Sequence, residues 1–574
     1  MKTLFVTILL GCLTGLGLLA QTPKFEWVIP IESQLGYYFN YSPYAMTVDD
    51  AGYVYVTGGI GTVGKLDFDP GPDTTFLDWQ KGNRFIAKYA PNGGFVWARN
   101  MGGNITNVTS NCIKVDASGN VYSLGEVSYS EDFDPGPSKQ LLEGFSNGSG
   151  LNIPDIFLLK LDSAGNFVWV KKFGGKGNDH ARSLELDEFG NAILSGTVGL
   201  AIDSMDVDPG IGTHNLWFFD GSLFIAKVNP DGELLWVQHL FANADADIYS
   251  MELDKQGNIF TAGYFNGRDT NLCDFDPGKG VYNLLDSNGS VYILKLNATG
   301  NFMWAKQLNG STLNGKNGCL LSTDNGGNVV LLGEFERRID VDPGGGTYYL
   351  GDTSNVFRQF LLTLDHQGNF VSAKETKNRT AIDVDANSNY YVPDSRLGGD
   401  STMACEKFTS NGVALWSTKF DGNFKRGFTI DFAAQGNAIN SIKVDKLGNV
   451  YILGRFQSTV DFDPSEKVYN LKSNGLNIFL LKLSQQPTSV EEHISSPSFS
   501  VYPNPGTTTI TAAFGKEVRS ASVRITDLLG QVLVSQTDVN GNSLQVDVSQ
   551  FSPGMYILEL SDGGIVSRVK LVKE

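Results

Sequence analysis

Seven stretches of the chain follow the pattern VD..GN.Y, anchored at Asp49, Asp116, Asp187, Asp254, Asp324, Asp385 and Asp445 and spaced 60 to 71 residues apart. Self-similarity on this scale restricts a chain to a propeller or a solenoid, because each unit is a small module that buries its faces only against its neighbours. The second unit shows the parts. Cys112–Asp116 alternates and ends at a turn, and Ala117–Gly125 holds that turn and a second strand. Ile156–Asp162 is a third strand, and Ser163–Gly175 supplies a turn, a fourth strand and a glycine exit. These are four short antiparallel strands, A to D. Asp116 with Gly119, and Asp162 with Gly165, suit turns in which the carboxylate takes backbone N–H groups and glycine takes a positive φ. Six of the seven A–B turns keep this pair; the sixth unit has Asp385 and Ser388.

The two ends of the repeat decide the architecture. Strand D carries Trp97, Trp169, Trp236, Trp304 and Trp416, with Ser372 in the fifth unit. The seventh unit stops after strand C, at Ile478–Gln485. The missing strand stands at the other end of the chain, where Phe25–Val28 matches Phe167–Val170. A linear array has no use for a stray last strand; a ring uses it to close without open edges. The expectation is an all-β fold, a seven-bladed β-propeller of 28 strands over residues 24–485, closed by the N-terminal strand. Strand A is innermost, and the Trp row packs between neighbouring blades. The 66 Gly, 36 Phe and 21 Tyr fit such a turn-rich β protein. Units reading VD..GNVYV.G.F, DFDPG, F..K.D..GNF.W.K..GG resemble the SBBP (seven-bladed β-propeller) repeats of secreted bacterial proteins, a resemblance that implies a fold and no ligand.

After a polar linker at 486–498 the pattern changes. Tyr502-Pro503-Asn504-Pro505, Asp527-Leu528-Leu529-Gly530 and Ser552-Pro553-Gly554-Met555-Tyr556 punctuate period-two alternation, which reads as a small Ig-like β-sandwich over 499–574. These pieces strongly resemble the type A C-terminal sorting domain of type IX secretion. The resemblance implies that the secretion machinery is a partner and that the chain is secreted or held at the outer-membrane cell surface. Residues 1–20 agree: Lys2 precedes an apolar run from Leu4 to Leu19, as in a signal peptide cleaved after Ala20. That run continues past Cys12, which argues against lipidation there. No later run is long enough to span a membrane. The net charge of −18 disfavours nucleic acid as a partner. Cys112, Cys273, Cys319 and Cys405 fall in four different units, so buried free thiols are expected.

An acidic motif recurs beside the repeat: Asp67-Phe68-Asp69, Asp132-Phe133-Asp134, Asp206-Val207-Asp208, Asp274-Phe275-Asp276, Asp340-Val341-Asp342 and Asp461-Phe462-Asp463, each followed by Pro and then Gly or Ser. Carboxylates at i and i+2 share one side of an extended segment, while the residue between points into the blade. One reading is a turn that ends strand B. The other makes these Asp pairs Ca2+ ligands, since Ca2+ prefers oxygen donors. In an up-and-down blade the B–C loops share one face, which would carry up to 12 of these carboxylates, with a gap at Arg396–Phe408 in the sixth unit. His180, His214, His239, His366 and His493 show no zinc spacing, and His180 reads as a solvated loop residue. The functional expectation is a non-enzymatic binding module for glycan, protein or matrix. Its alternatives are a polysaccharide-acting enzyme, which requires an asymmetric polar cluster in the funnel, and a structural surface-layer component.

Overall fold

The computed structural model describes residues 22–33, 42–60, 65–78, 82–102, 112–146, 152–199, 203–210, 215–218, 222–240, 244–267, 272–285, 289–310, 319–377, 379–395, 403–420, 422–423, 438–485, 499–527, 532–562 and 565–573. The leader at 1–20, the linker at 486–498, His214, His493 and the stretches 396–402 and 528–530 lie outside the described residues. The chain divides into two compact units, 1–487 and 488–574.

The larger unit is built of four-stranded antiparallel meanders, seven among the described residues. The first runs Ser42–Val48, Val54–Gly59, Arg84–Tyr89 and Phe95–Met101. The second runs Cys112–Val115, Val121–Val127, Asp155–Leu161 and Phe167–Phe173. The seventh takes Ala438–Val444, Val450–Asp461 and Asn470–Ser484 from the end of the repeat. Its fourth strand is Lys24–Ser33, which pairs antiparallel with Asn470–Ser484 from Lys24↔Ser484 to Ile31↔Ile478. The stray N-terminal strand thus lies where the repeat pattern calls for it.

Strands B and C are buried at every residue in the first two sheets, because each sheet is covered on both faces by its neighbours. Apolar clusters fill each junction between consecutive sheets. Ile86, Trp97 and Met101 of the first meet Ile113, Phe157 and Leu159 of the second. Ile29, Ile31, Leu453 and Leu480 of the seventh meet Met46, Val54 and Phe85 of the first. The Trp residues hold these junctions together. Trp97 Nε1 donates to Ser163 O of the next sheet at 3.2 Å, Trp169 to Pro230 O at 3.1 Å and Trp27 to Pro91 O at 3.0 Å. Gly165 sits under Trp97 with φ +79°, and an added Cβ would meet the indole at 3.1 Å, so both conformation and contact require glycine there. In the sixth sheet Ser388 adopts φ +62° without that freedom, and the Asp385 turn survives.

The smaller unit is a five-stranded antiparallel sheet. Thr509–Thr526 pairs with Phe499–Tyr502, Val532–Asp547 and Gly554–Asp562, and Ile565–Lys573 pairs with Gly554–Asp562. Alternate residues Ile510, Ala512, Phe514, Val523, Ile525, Leu558 and Leu560 form its core. Asn504 secures the last strand: its Nδ2 donates to Lys570 O at 2.6 Å and its Oδ1 accepts from Val572 N at 2.8 Å.

Candidate functional site

Each acidic motif folds the same way. In five of the six copies the first Asp is an acceptor for two amides, one within the motif and one eight residues on. Asp67 Oδ1 takes Asp69 N at 3.1 Å and Thr75 N at 2.9 Å. Asp132 takes Asp134 N and Gln140 N, Asp274 takes Asp276 N and Tyr282 N, Asp340 takes Asp342 N and Tyr348 N, and Asp461 takes Asp463 N and Tyr469 N. Asp206 takes Asp208 N at 3.0 Å. The second Asp closes a tighter turn, with Asp69, Asp134, Asp208, Asp276 and Asp342 each accepting from the glycine two residues on, and Asp463 from Ser465 N. The residue between is buried in every copy: Phe68, Phe133, Val207, Phe275, Val341 and Phe462. Among the described residues, no group of three or more His, Cys, Asp or Glu converges as a metal cage.

The motif does more than end strand B. It opens a separate hairpin, such as Lys65–Asp67 with Phe76–Asp78 or Arg338–Asp340 with Tyr349–Gly351. The first arm of the hairpin pairs with strand D of the preceding sheet through Glu32↔Asp67 and Asn309↔Asp340, and in the seventh copy Val460 pairs with Gly422, just past the sixth sheet's strand Ala414–Phe420. Gly102 N donates to Asp132 O at 2.7 Å, and Gly174 bridges Asp206, in the second and third copies. The second arm lies along strand D of its own sheet, where Asn100 Nδ2 donates to Asp78 O at 2.9 Å and Gln307 Nε2 to Leu285 O at 2.8 Å. The rings of Tyr282, Tyr348 and Tyr469 pack on Phe302, Phe370 and Phe25, each pair 4.9 Å apart. Each motif turns into the outer groove between two sheets, because its unpaired strand edge finds the exposed edge of strand D there.

Other expected residues fall as follows. Cys273, Cys319 and Cys405 are buried free thiols and Cys112 is half-buried, its thiol pushed up to about 11 by burial. His180 is not a loop residue: it lies in strand Asp179–Leu186 with Nδ1 3.1 Å from Glu126 Oε1. Burial lowers the pKa of His239.

Two clusters escaped the sequence reading. The residue two before each A–B turn Asp lies on innermost strand A, and across the seven units it runs Thr47, Lys114, Glu185, Glu252, Ser322, Asp383, Lys443. Lys114 Nζ is 2.5 Å from Glu185 Oε1 and Lys443 Nζ is 3.2 Å from Asp383 Oδ1. Burial and the nearby Glu252 push Glu185 up to about 7, with Lys114 and Lys443 opposing, and Lys443 also meets Asp383, so acids and lysines of five sheets converge. This row breaks the repeat, and reading that column of the alignment would have found it. The second cluster is sealed inside the junction of the second and third sheets. Asp155 and Asp179 are both fully buried. Lys172 Nζ reaches Asp155 Oδ2 at 3.1 Å, and Gly175 N donates to Asp179 Oδ2 at 2.9 Å. Burial pushes Asp179 up to about 8.

At the outer groove between the first and second sheets, Arg99, Asn100, Asp134, Pro135, Asn166 and Phe167 contribute to the walls of an open cleft of about 500 Å3.

Residues 500–574 match the family model described as the secretion system C-terminal sorting domain. The smaller unit is a sorting domain. The sorting domain places this chain under the type IX secretion machinery, and its destination is the exterior or the outer-membrane cell surface. Asn504 belongs to the segment that carried the sequence resemblance, and its grip on the last strand gives that segment a structural role. The chain is 24% identical over 378 residues to an uncharacterized WD repeat-containing protein of Acanthamoeba polyphaga mimivirus, covering 62% of this chain and 25% of that one. The chain thus spans a quarter of the length of that curated relative. Among solved structures, a catalytically inactive virginiamycin B lyase from Staphylococcus aureus with quinupristin aligns at 10% identity and TM-score 0.33, over 79% of this chain and 99% of that one. A protein of unknown function from Dyadobacter fermentans aligns at 9% identity and TM-score 0.34, over 66% and 95%. A lignostilbene dioxygenase from Pseudomonas brassicacearum aligns at 10% identity and TM-score 0.31, over 80% and 94%.

Proposed function

We propose that this protein is an exported, non-enzymatic binding module on a closed seven-bladed propeller of residues 24–485, preceded by a signal peptide at 1–20 and joined by the linker 486–498 to a sorting domain at 499–574. The observation that carries the reading is the outer-groove cleft of the repeat unit in a chain whose sorting domain sends it outside the cell. Binding sites are concave, with a few placed polar groups among apolar walls. In this reading the six acidic motifs serve as turns that clasp neighbouring blades, and Ca2+ is not required for them to form. A polysaccharide-acting enzyme is the second reading, favoured by the asymmetric row of Lys114, Glu185, Glu252, Asp383 and Lys443. Its carboxylates include one held near neutrality, the property a general acid needs.

Affinity electrophoresis of the chain beginning at Gln21, in gels containing soluble polysaccharides, separates these readings when combined with an assay for released reducing ends. Retarded migration without release is expected. Release that Glu185→Gln abolishes would establish the enzyme, and neither retardation nor release would leave a structural component.

A further inference from the structure

We propose that the cleft between the first and second sheets is a subsite for a neutral polyhydroxylated ring, such as one sugar residue of a glycan; this rests on the binding-module reading above. The walls come from three separate pieces of chain. Strand D of the first sheet supplies Arg99 and Asn100, the second acidic motif supplies Asp134 and Pro135, and the second sheet supplies Asn166 from its C–D turn and Phe167 from the start of its strand D. Structure already uses part of each polar group. Arg99 donates from Nε to Gly165 O at 3.2 Å, from Nη2 to Ala164 O at 3.0 Å and from Nη1 to Ala98 O at 3.0 Å. That fixes the guanidinium and leaves two of its five N–H donors. Asn100 spends its Nδ2 on Asp78 O and Gly82 O, and Asn166 spends its Nδ2 on Asp162 Oδ2. Asp134 spends Oδ1 on Gly136 N. What remains uncommitted among the described residues is a fixed set: Oδ1 of Asn100, Oδ1 of Asn166, Oδ2 of Asp134 and the outer edge of Arg99.

The chemistry of that set selects its ligand. Three acceptors want donors, and one cation wants an acceptor. A hydroxyl group is both, and a ring of hydroxyls presents several at fixed spacing. The half-buried Phe167 ring and Pro135 offer a flat apolar wall for the C–H face of such a ring. An anion is opposed by Asp134 and by the net charge of −18, and a cation by Arg99. The second motif also differs from the fourth and fifth copies. In the fourth and fifth copies Oδ2 of Asp276 and Asp342 lies 2.1 and 2.4 Å from where a Cβ on Gly280 and Gly346 would stand. In the second copy Ser138 holds that position, and its Cβ excludes the same placement of Asp134.

Asp134→Asn tests the proposal with little disturbance, since the amide oxygen still accepts from Gly136 N. Calorimetric titration of the chain beginning at Gln21 with neutral gluco-, manno-, xylo- and galacto-oligosaccharides would be repeated for Asp134→Asn and for Asp342→Asn. A thermal melt of each variant checks its fold. Binding of at least one sugar is expected, weakened about tenfold by Asp134→Asn, the size of losing one hydrogen bond to a charged acceptor, and unchanged by Asp342→Asn. Sugar binding that both variants retain would overturn this subsite and leave the module a binder at another place. Absence of sugar binding, with retardation by a charged polymer or a protein, overturns the proposed ligand and spares the wider reading. Absence of all binding overturns both.

Discussion

At the scale of single residues, Asp179 shows what a repeat unit tolerates for the sake of its junction. Its side chain is fully buried between the second and third sheets, and burial pushes its pKa up to about 8. In the unfolded chain the same carboxyl titrates near 4. Between those values the folded state holds a proton that the unfolded state has lost, so stability falls as pH rises from about 4 to about 8 and is flat above. Asp179→Asn keeps an oxygen for Gly175 N and removes the ionisation. Urea melts at pH 5 and pH 8.5 should show the slope in the parent chain and a shallower one in the variant, where Glu185 and the other raised buried carboxyls still contribute. The gain at the higher pH should be of the order of 2 kcal/mol. An unchanged slope in the variant would mean that Asp179 is ionised throughout and that another group carries the dependence.

At the scale of elements, the acidic hairpin is the part whose role changed most between sequence and structure. The spacing of Asp274 and Asp276 gives the turn, and the buried Phe275 between them follows from strand alternation. If the motif is a clasp, its two carboxylates differ in weight. Asp274 holds two amides, those of Asp276 at 3.0 Å and Tyr282 at 2.8 Å, whereas Asp276 holds only Gly278 N. Asp274→Ala should cost about 1–2 kcal/mol, roughly twice the cost of Asp276→Ala. The melting temperature of the parent chain should be the same in EDTA and in Ca2+. A calcium-dependent rise that Asp276→Ala cancels would instead make the motif an ion site, because a ligand of the folded state alone stabilises it. The A–B and C–D turns, the strand order and the Trp junctions were all legible, since each depends on residues near in sequence or repeated in phase. The clasp was not. It joins Asn309 to Asp340 and Glu32 to Asp67, pairs that only the packing of consecutive sheets brings together. The charged row on strand A was legible in principle, but its variation from Thr47 to Lys443 looks like noise until the strands are placed side by side.

At the scale of the whole molecule, the N-terminal strand carries the argument for closure. Lys24–Ser33 pairs with Asn470–Ser484 along most of its length, and its last residues continue onto the hairpin of the first sheet through Glu32↔Asp67 and Ser33↔Leu66. Val28 packs toward the sixth and seventh sheets, and Ile29 and Ile31 pack toward the first. One strand therefore serves two junctions. Burying those three side chains is worth about 5–9 kcal/mol, comparable to the whole stability of a domain. Removing residues 22–33 from a linear array would fray only the last sheet. In a closed ring the same deletion opens both the seventh and the first sheets and leaves Asn470–Ser484 as a long unpaired edge, which invites association. Hydrogen exchange on the truncated chain should show lost protection at Val54–Gly59 as well as at Asn470–Ser484, with dimers or larger species by light scattering. A synthetic peptide of residues 22–33 should restore protection in both places and return the chain to a monomer. Lost protection confined to Asn470–Ser484 would mean that the seventh sheet is a free end and that the sheets form an open array. Restoration of both by one peptide is an outcome that only the ring predicts, because no other arrangement gives a single strand two distant sheets to join.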